Sequence, residues 1–476
     1  MTSLHPLRPD ADPVRCVAGL PIAVVLTYLF LMATATVVYS VWCGAAMFTV
    51  PDSVGYLEVA RDLSDFQLDT LHTRGPGYPL LLVLSGSVEA PTHALYFLSL
   101  GIHFASIWML AAVLHRAGVR ALLLVLFAIY FLLPQSMQSV VQVASETATE
   151  FGLTAGVAAL CLWLSGRRAG WLAAACLAIA FAGMVRASHQ TVAVAIAAAL
   201  LCLSLSNGGH ARRFRMFASA ALLVTLVSAG FILSYSWLNE RSFGYFGMSS
   251  TMGFTLSTRV ARVLEQLPDE ESVLRDALIQ ARDHDFTTPG GDHLVVNFFF
   301  SEGMGRRLQG MTGLSEPALS AHLAKLFTAL IAAAPMNYLH DVLSAAAVYW
   351  MPIVHRESHL GGPTLEAACA ALQLGFVGLF FLQLVGVGGV ALLAGTRALR
   401  GHPAERDQPV ASDARLVEAA AYLLSLAVVL YTVVISSTFS FGEPRLRAPT
   451  EMLMAVMIVL GIEMWARWSR PLPAAS

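Results

Sequence analysis

Long apolar runs, separated by short polar segments, set the pattern of this chain. A membrane helix needs about 20 consecutive apolar residues to cross roughly 30 Å of hydrocarbon, so each long uncharged run is a candidate membrane span. The pattern predicts roughly ten spans. They lie near residues 19–46, 93–114, 119–133, 147–165, 170–185, 190–206, 214–236, 364–395, 416–437 and 450–467.

Composition supports the same class of protein. Of the 476 residues, 57% are hydrophobic and only 13% are charged, with a mean hydropathy of +0.66. We therefore predict an all-α, polytopic membrane protein. A net charge of −2 argues against a nucleic-acid partner, which needs a basic face. The six cysteines show no CxxC spacing, so neither disulfides nor a zinc site is expected.

Arginines fall on every second connection between the predicted spans. Short loops rich in arginine stay in the cytoplasm, so both termini are expected inside and residues 47–92 outside. The first apolar run is too long for a signal peptide and is expected to be retained as an anchor. The arginines that set this orientation are Arg8, Arg15, Arg116, Arg120, Arg167, Arg168, Arg212, Arg213, Arg215, Arg397, Arg400, Arg406, Arg415, Arg467 and Arg470.

We expect one transmembrane domain over residues 1–476 with two outer regions, a first loop at 47–92 and a larger region at 237–363. The larger region contains an apolar stretch at 335–352 that carries interface aromatics and is soon followed by charges. We interpret it as part of a layer of amphipathic helices on the membrane surface. If the stretch crosses instead, the downstream topology inverts and places the arginines of 397–415 outside.

The first outer loop contains an acidic residue at the membrane edge. Asp52 follows Pro51 and precedes a predicted short amphipathic helix at 54–63. Aspartate is a common helix N-cap, so Asp52 either caps this helix or supplies a reactive carboxylate.

A basic residue follows in the same loop. Arg74 lies in a turn at 73–79 with two glycines and two prolines, ahead of a short apolar helix at 80–84. A guanidinium can bind phosphate oxygens bidentately and keeps its charge at physiological pH. Arg74 is therefore either a phosphate ligand or an interface residue whose charged end reaches the lipid headgroups.

These residues carry a resemblance to a known family. Pro-Asp-Ser-x-x-Tyr-Leu-x-x-Ala, followed about a dozen residues later by Arg-x-Pro-Gly-Tyr-Pro-Leu-Leu-Leu, resembles the GT-C membrane glycosyltransferases. That superfamily includes dolichyl-phosphate-mannose protein mannosyltransferases, aminoarabinose transferases and lipid A core galacturonosyltransferase-like proteins. The hydropathy pattern is similar over the whole chain, whereas residue-level similarity covers this loop and two patches at 145–147 and 442–449.

The resemblance implies roles for individual residues. Asp52 would be the catalytic base, and Arg74 would contact the lipid phosphate. Glu146 would lie near the acceptor or sugar, and Arg445 and Arg447 would contact phosphate or sugar unless they merely anchor the interface. With Arg186 and His189 of a short outer loop added, the predicted donor-phosphate ligands are Arg74, Arg186, Arg445 and Arg447, and the predicted substrate-binding residues are Tyr56, Tyr78, Glu146, His189 and Glu443.

The implied reaction is an inverting transfer of a sugar from a polyprenyl-phosphate donor to a hydroxyl of a glycolipid, polysaccharide or protein. No nucleotide-binding motif is present in the sequence. No cofactor is expected, although some relatives use a divalent ion. Asp283 and Asp285 are weak metal-ligand candidates, because their segment is better interpreted as a polar turn around residues 289–291. A bacterial inner membrane is the expected location.

A secondary transporter or lipid-linked sugar flippase is the alternative function. Transporters keep ionisable groups and broken helices near the membrane midplane. The predicted spans are nearly free of ionisable groups, with His103 as the main exception. Residues 152–156, which begin and end with glycine, are interpreted as a site of close helix packing and not as a gate. A non-catalytic scaffold would explain the spans but not the acidic and basic residues predicted on one face.

Overall fold

α-Helices account for nearly all of the described chain in the computed structural model, which describes residues 16–17, 20–206, 211–287, 304–353, 362–399, 410–440 and 442–468. Two short antiparallel strands, β1 (Cys16–Val17) and β2 (Leu20–Pro21), precede the helices. The helices are α1 (Ile22–Cys43), α2 (Ser53–Ser64), α3 (Gly77–Leu84), α4 (His93–Arg116), α5 (Ala121–Phe131), α6 (Pro134–Val140), α7 (Glu146–Gly166), α8 (Ala169–Val185), α9 (Val192–Ser206), α10 (Ala211–Phe243), α11 (Met252–Val260), α12 (Ser272–Thr287), α13 (Met304–Thr312), α14 (Glu316–Ala333), α15 (Pro335–Tyr349), α16 (Pro363–Leu399), α17 (Val410–Phe439) and α18 (Glu451–Trp468). Short 3₁₀ segments lie at Ala187–His189, Ala261–Gln266, Asp269–Glu271 and Pro444–Thr450.

Each of the ten predicted spans coincides with a helix. Among the described residues, eight helices are long and apolar enough to cross a membrane, and two bent helix pairs raise the number to as many as ten. The prediction of an all-α, multi-pass membrane protein is confirmed. Two predicted spans are marginal, because α8 has only 17 residues and α5 has 11 and reaches span length only together with α6. The other bent pair, α14 with α15, is not among the ten predicted spans.

The two bent pairs break at prolines. α5 and α6 meet at 58° before Pro134, and α14 and α15 meet at 104° before Pro335. Proline lacks an amide hydrogen and disfavours a helical conformation for the residue before it, so a straight helix does not continue through either position. Alone, the 15 residues of α15 extend about 22 Å, less than the hydrocarbon thickness. The interfacial placement of this stretch stays a prediction.

α7 is the central helix of the bundle, and close packing surrounds it. Of the 18 residues in its most apolar stretch, 89% are buried. The helix packs against α4, α8 and α17. A Cβ at Gly152 would lie 2.9 Å from the Cβ of Ala182, and one at Gly156 would lie 2.6 Å from Cγ1 of Ile179. Both distances are too short for a real side chain. The interpretation of these glycines as a close helix contact is therefore confirmed.

Ionisable residues pair at both ends of the bundle. At one end, Arg120 before α5 donates to Glu463 near the end of α18 at 2.7 Å, and Arg467 pairs with Glu418 of α17. The opposite end, where α7 begins and α8 ends, carries the first loop. We call this opposite end the site face.

A second apolar core lies in the region after α10. Helices α11 to α14 bury Phe254, Leu278, Leu319, Leu323 and Phe327 against one another. α11 also contacts α15 and α17, which joins this layer to the bundle. This matches the helical character expected for residues 237–363, while the placement of the layer outside the membrane stays a prediction.

Some sequence-based expectations lie outside the described residues. They concern the polar turn at 289–291 and several of the orientation-setting arginines: Arg8, Arg15, Arg400, Arg406 and Arg470.

The contact between α11 and α14 generates a prediction. A Cβ at Gly253 would overlap the backbone oxygen of Ser320, so Gly253→Ala must push the two helices apart. We expect it to destabilise the protein by about 1–3 kcal/mol. The control is Gly310→Ala on α13, where nothing lies within 4 Å, and it should be neutral or stabilise by up to about 1 kcal/mol. Thermal unfolding in detergent compares them, and equal unfolding temperatures would contradict the tight contact.

Candidate functional site

Six charged side chains from distant parts of the sequence meet at the site face. They come from the first loop, the start of α7, the end of α8 and the 3₁₀ segment before α18. Three are acids and three are arginines, so the group is formally neutral. We call it the charge cluster, and it consists of Asp52, Arg74, Glu146, Arg186, Glu443 and Arg445.

Both carboxylate oxygens of Asp52 are held by arginines. Arg74 NH2 donates to Oδ1 at 2.9 Å, and Arg445 NH2 donates to Oδ2 at 2.6 Å. Asp52 stands at the N-cap position of α2, but its side chain makes no capping hydrogen bond. The capping role that the sequence left open is therefore wrong for this carboxylate, because the two charge-assisted bonds take its oxygens.

Arg445 connects this pair to a second carboxylate. Its Nε lies 3.4 Å from Oε1 of Glu146 and 3.6 Å from Oε2 of Glu443. Arg186 NH1 donates to the same Oε1 of Glu146 at 3.1 Å. Glu146 is only 3% exposed, and its other oxygen, Oε2, has no hydrogen-bond partner among the described residues. Arg445 thus contacts all three acids of the cluster.

Two glycines allow the Arg74 turn to approach the end of α8. A Cβ at Gly75 would overlap the backbone oxygen of Met184, and one at Gly77 would lie 2.7 Å from the backbone nitrogen of Val185. Without side chains at these positions, the turn packs directly against the residues before Arg186. The glycines therefore bring the two arginines to the same site.

Aromatic residues and main-chain contacts fix the position of Arg74. Its guanidinium lies over the ring of Tyr56, 5.0 Å from the ring centre, and Tyr56 donates to Oγ of Ser145 at 2.8 Å. Tyr78 packs edge-on against Tyr56 with the ring centres 5.1 Å apart. From α10, Tyr235 donates to the backbone oxygen of Arg74 at 3.2 Å. Tyr56 thus contacts the guanidinium of Arg74 directly, and Tyr78 packs against Tyr56.

The cluster shifts the ionisation of its acids in opposite directions. Burial by itself raises the pKa of Asp52, but the charges of Arg74, Arg445 and Arg186 outweigh it and lower the pKa to about 2. For Glu443 burial dominates and raises the pKa, even though the charge of Arg445 acts in the other direction. Asp52 is therefore a firmly ionised carboxylate in this arrangement.

Two predicted ligands lie apart from the cluster. Arg447 is fully buried, and it donates to the backbone oxygens of Tyr349 and Met351 at 2.7 and 2.9 Å and to Glu451 at 3.0 Å. His189 is also buried, and its Nε2 lies 3.4 Å from the hydroxyl of Thr432 on α17. Arg447 ties the end of α15 to the start of α18, which is the geometry of a structural anchor.

The weak metal-ligand candidates do not form a site in the described part of the chain. Asp283 is paired with Arg282, Nε to Oδ1 at 2.9 Å, and the side chain of Asp285 lies outside the described part. Among the residues that the structure describes, no group of three or more His, Cys, Asp or Glu side chains could hold a metal ion.

A polar cavity adjoins the charge cluster and shares Glu146 and Arg445 with it. It is narrow and has room for only about one water molecule. Its other lining residues are Phe131, Gln135, Ser136, Ser139, Gln142, Glu150, Ile353, Ala448 and Glu451. A larger groove of about 650 Å³ between α16 and α18 is apolar and is lined by no residue of the cluster.

Sequence analysis identified Glu146 but missed the other two acidic residues of this cavity, Glu150 and Glu451. Glu150 lies one helical turn after Glu146, so both face the same side of α7. That spacing was the available signal. Oε1 of Glu150 lies 2.9 Å from Nδ1 of His103, and Nε2 of His103 lies 3.0 Å from the backbone oxygen of Phe131. The spans are thus richer in buried ionisable pairs than His103 alone indicated.

The chain matches no protein-family model and no curated protein with which it was compared.

The low pKa of Asp52 generates a prediction about acid stability. A carboxylate whose pKa is lowered on folding stabilises the native state above its unfolded pKa, here 3.8, and loses this contribution as the pH falls to about 2. Asp52→Asn should therefore lower the unfolding temperature at pH 6, and the difference from wild type should shrink between pH 3.8 and about 2. Asp65→Asn, at an exposed position after α2, is the control. A difference that stays constant over this range would contradict the prediction.

Proposed function

We propose that this protein is an integral membrane glycosyltransferase that moves a sugar from a polyprenyl-phosphate donor to an acceptor hydroxyl, with inversion at the anomeric carbon. The observation that carries the proposal is the position of Asp52 between Arg74 and Arg445 at one end of an apolar helical bundle. A reactive carboxylate and phosphate-binding guanidinium groups are thereby within contact of each other. We propose a bacterial inner membrane, with the cluster facing the periplasm and both termini in the cytoplasm.

The arginines would bind the donor phosphate. Arg74 and Arg445 each use an NH2 group on Asp52. The phosphodiester of the donor, like a carboxylate, offers two oxygens that share one negative charge and can accept such bonds. The phosphate is also the leaving group, so it gains negative charge as the bond to the sugar breaks. Fixed guanidinium groups at that position stabilise the charge. Arg186, which pairs with Glu146, adds a third positive charge.

Asp52 is a weak base while both arginines hold it, because its pKa is about 2. A donor phosphate that takes the guanidinium NH groups would release the carboxylate and raise its pKa. Donor binding would therefore activate the base. Because the donor must bind before the base is activated, no strong base is present at the site in the absence of a donor.

The proposed reaction transfers one proton to Asp52 and one sugar to the acceptor. The acceptor hydroxyl gives its proton to Asp52 while its oxygen forms a bond to the anomeric carbon. The bond between that carbon and the phosphate oxygen breaks, and polyprenyl phosphate leaves with both bonding electrons. Asp52 then loses the proton to water. The acceptor is a glycolipid, polysaccharide or protein, and the donor lipid enters from the bilayer. The arginines perform the charge neutralisation for which a divalent ion would otherwise serve.

A transporter or lipid-linked sugar flippase is the second candidate, because the His103–Glu150 pair is buried between two spans. Both nitrogens of His103 already have partners, which makes the pair less suitable as a proton relay. The two candidates differ in outcome. A flippase carries labelled polyprenyl-phosphate sugar across reconstituted vesicles without acceptor, whereas the transferase releases polyprenyl phosphate only when acceptor is present.

Asp52→Asn tests the proposed base. We expect sugar transfer to fall by at least about a hundredfold, since an amide cannot accept the proton. We also expect polyprenyl phosphate to bind more tightly than to wild type, because the neutral amide no longer competes for the arginines. Transfer of labelled sugar and equilibrium lipid binding measure the two effects.

The exposed Asp65→Asn is the matched control for that variant, and both measurements should match wild type. Undiminished transfer by Asp52→Asn would remove this carboxylate from the mechanism.

Arg445→Gln and Arg447→Gln test the two neighbouring arginines against each other. Arg445→Gln should weaken polyprenyl-phosphate binding about tenfold or more. It should destabilise the fold less than Arg447→Gln, because Asp52 and Glu146 keep Arg74 and Arg186 as partners and Arg445 is partly exposed. Arg447→Gln removes a fully buried charge that has three hydrogen bonds and leaves Glu451 unpaired, so it should destabilise the fold by about 3–5 kcal/mol. Lipid binding and thermal unfolding are measured on both, and the reverse pattern would exchange the assigned roles.

A further inference from the structure

The polar cavity beside the charge cluster has its own chemical preference. It shares Glu146 and Arg445 with the cluster, so a phosphate bound there would hold its sugar at the entrance to the cavity. The space inside is narrow, with room for about one water molecule. It can admit one substituent of a sugar ring but not the ring.

Two of the three unpartnered polar atoms that line the cavity in the described part of the chain are hydrogen-bond acceptors, and the third is Nε of Arg445, a donor. Glu146 Oε2 and Gln135 Oε1 have no hydrogen-bond partner among the described residues, and both side chains are more than nine-tenths buried. The orientation of the Gln135 amide is fixed, because its Nε2 donates to the backbone oxygen of Tyr130 at 3.3 Å. A buried acceptor without a donor costs about 1–3 kcal/mol, so both oxygens favour a ligand that donates.

The positively charged groups around the cavity are already engaged. Three carboxylates line it, those of Glu146, Glu150 and Glu451, and their partners Arg186, His103 and Arg447 are not among the lining residues. The Nε of Arg445 that has no hydrogen bond already lies within 3.4–3.6 Å of two carboxylates. A carboxylate brought into this space would meet unpaired acceptors, and it would find no unclaimed cation among the described lining residues.

Building on the proposed function, we propose that this cavity receives one hydrogen-bond-donating substituent of the transferred sugar, a hydroxyl or an ammonium group, and rejects a carboxylate. Gln135 and Glu146 accept the hydrogen bonds. The donor is then a neutral or amino sugar and not a uronic acid. The cavity determines which sugar is transferred, while the arginines bind the phosphate that all donors share.

The test uses four lipids with the same polyprenyl-phosphate tail: one without sugar, one hexose with a hydroxymethyl group, its 6-amino analogue and the matching uronic acid. Equilibrium binding is measured on the purified full chain in lipid nanodiscs. We expect the hydroxymethyl or amino donor to bind at least about tenfold more tightly than the uronic acid. Their ratio shows whether the substituent is neutral or cationic. Equal or tighter binding of the uronic acid overturns the inference.

Gln135→Leu removes one acceptor at similar side-chain volume, and Gln138→Leu is its matched control on α6, since Gln138 does not line the cavity. Gln135→Leu should weaken the preferred sugar donor about tenfold and leave the lipid without sugar unchanged. The control should change neither. Equal effects of the two variants overturn the assignment of Gln135.

The lipid without sugar separates the two proposals. If wild type binds it in an Arg445-dependent manner and shows no preference among the sugars, the cavity inference fails and the proposed function stands. If a folded wild type binds none of the four lipids, the proposed function fails and the cavity inference fails with it.

Discussion

The ion pairs that Arg445 makes with three carboxylates are the interaction on which the site face depends. Asp52 precedes α2, Glu146 begins α7 and Glu443 precedes α18, so one guanidinium joins three elements that are distant in sequence. Each acid is close to at least one positive charge, and the three arginines balance the three acids. Burial of one unpaired charge is costly, whereas a neutral network with short contacts is tolerated. The same pairing keeps Asp52 ionised and weakly basic until another anion claims the arginines.

Close backbone approach makes this network possible. Gly75 and Gly77 let the Arg74 turn rest on the last residues of α8, and Gly152 and Gly156 let α8 lie against α7. α8 ends next to Arg186, so the two contacts together place this arginine beside Glu146. Helices in lipid gain little hydrophobic free energy from contact with one another. Close packing at small residues stabilises such contacts instead. The charged side chains of the cluster are held by rigid elements, as the proposed binding of a phosphate and positioning of a hydroxyl would require.

In the proposed function, the charge cluster and the polar cavity recognise different parts of the donor. Arginines of the cluster would recognise a phosphate, which every polyprenyl-phosphate donor carries, while Gln135 and Glu146 would recognise one substituent of the sugar. Specificity for the sugar would then arise from these unpaired buried acceptors. A ligand that cannot donate a hydrogen bond to them, or that is repelled by them, would bind less tightly. Arg447, two residues from Arg445, lies apart from the charge cluster. It binds main-chain oxygens at the end of α15 and holds the scaffold in place.

The sequence by itself determined the helices, because a run of apolar residues specifies a membrane helix locally. All ten predicted spans coincide with helices, and α2 was expected at 54–63 and extends over Ser53–Ser64. Sequence pattern and the resemblance to a known family together singled out the six residues of the charge cluster, each of which lies in a polar loop or at a helix end. It could not assign Asp52 between cap and ligand, or separate Arg445 from Arg447, because these choices depend on partners up to 393 residues away. Only the tertiary structure brought Gln135, Glu150 and Glu451 to one cavity, since packing between α6, α7 and α18 decides which buried polar groups face each other.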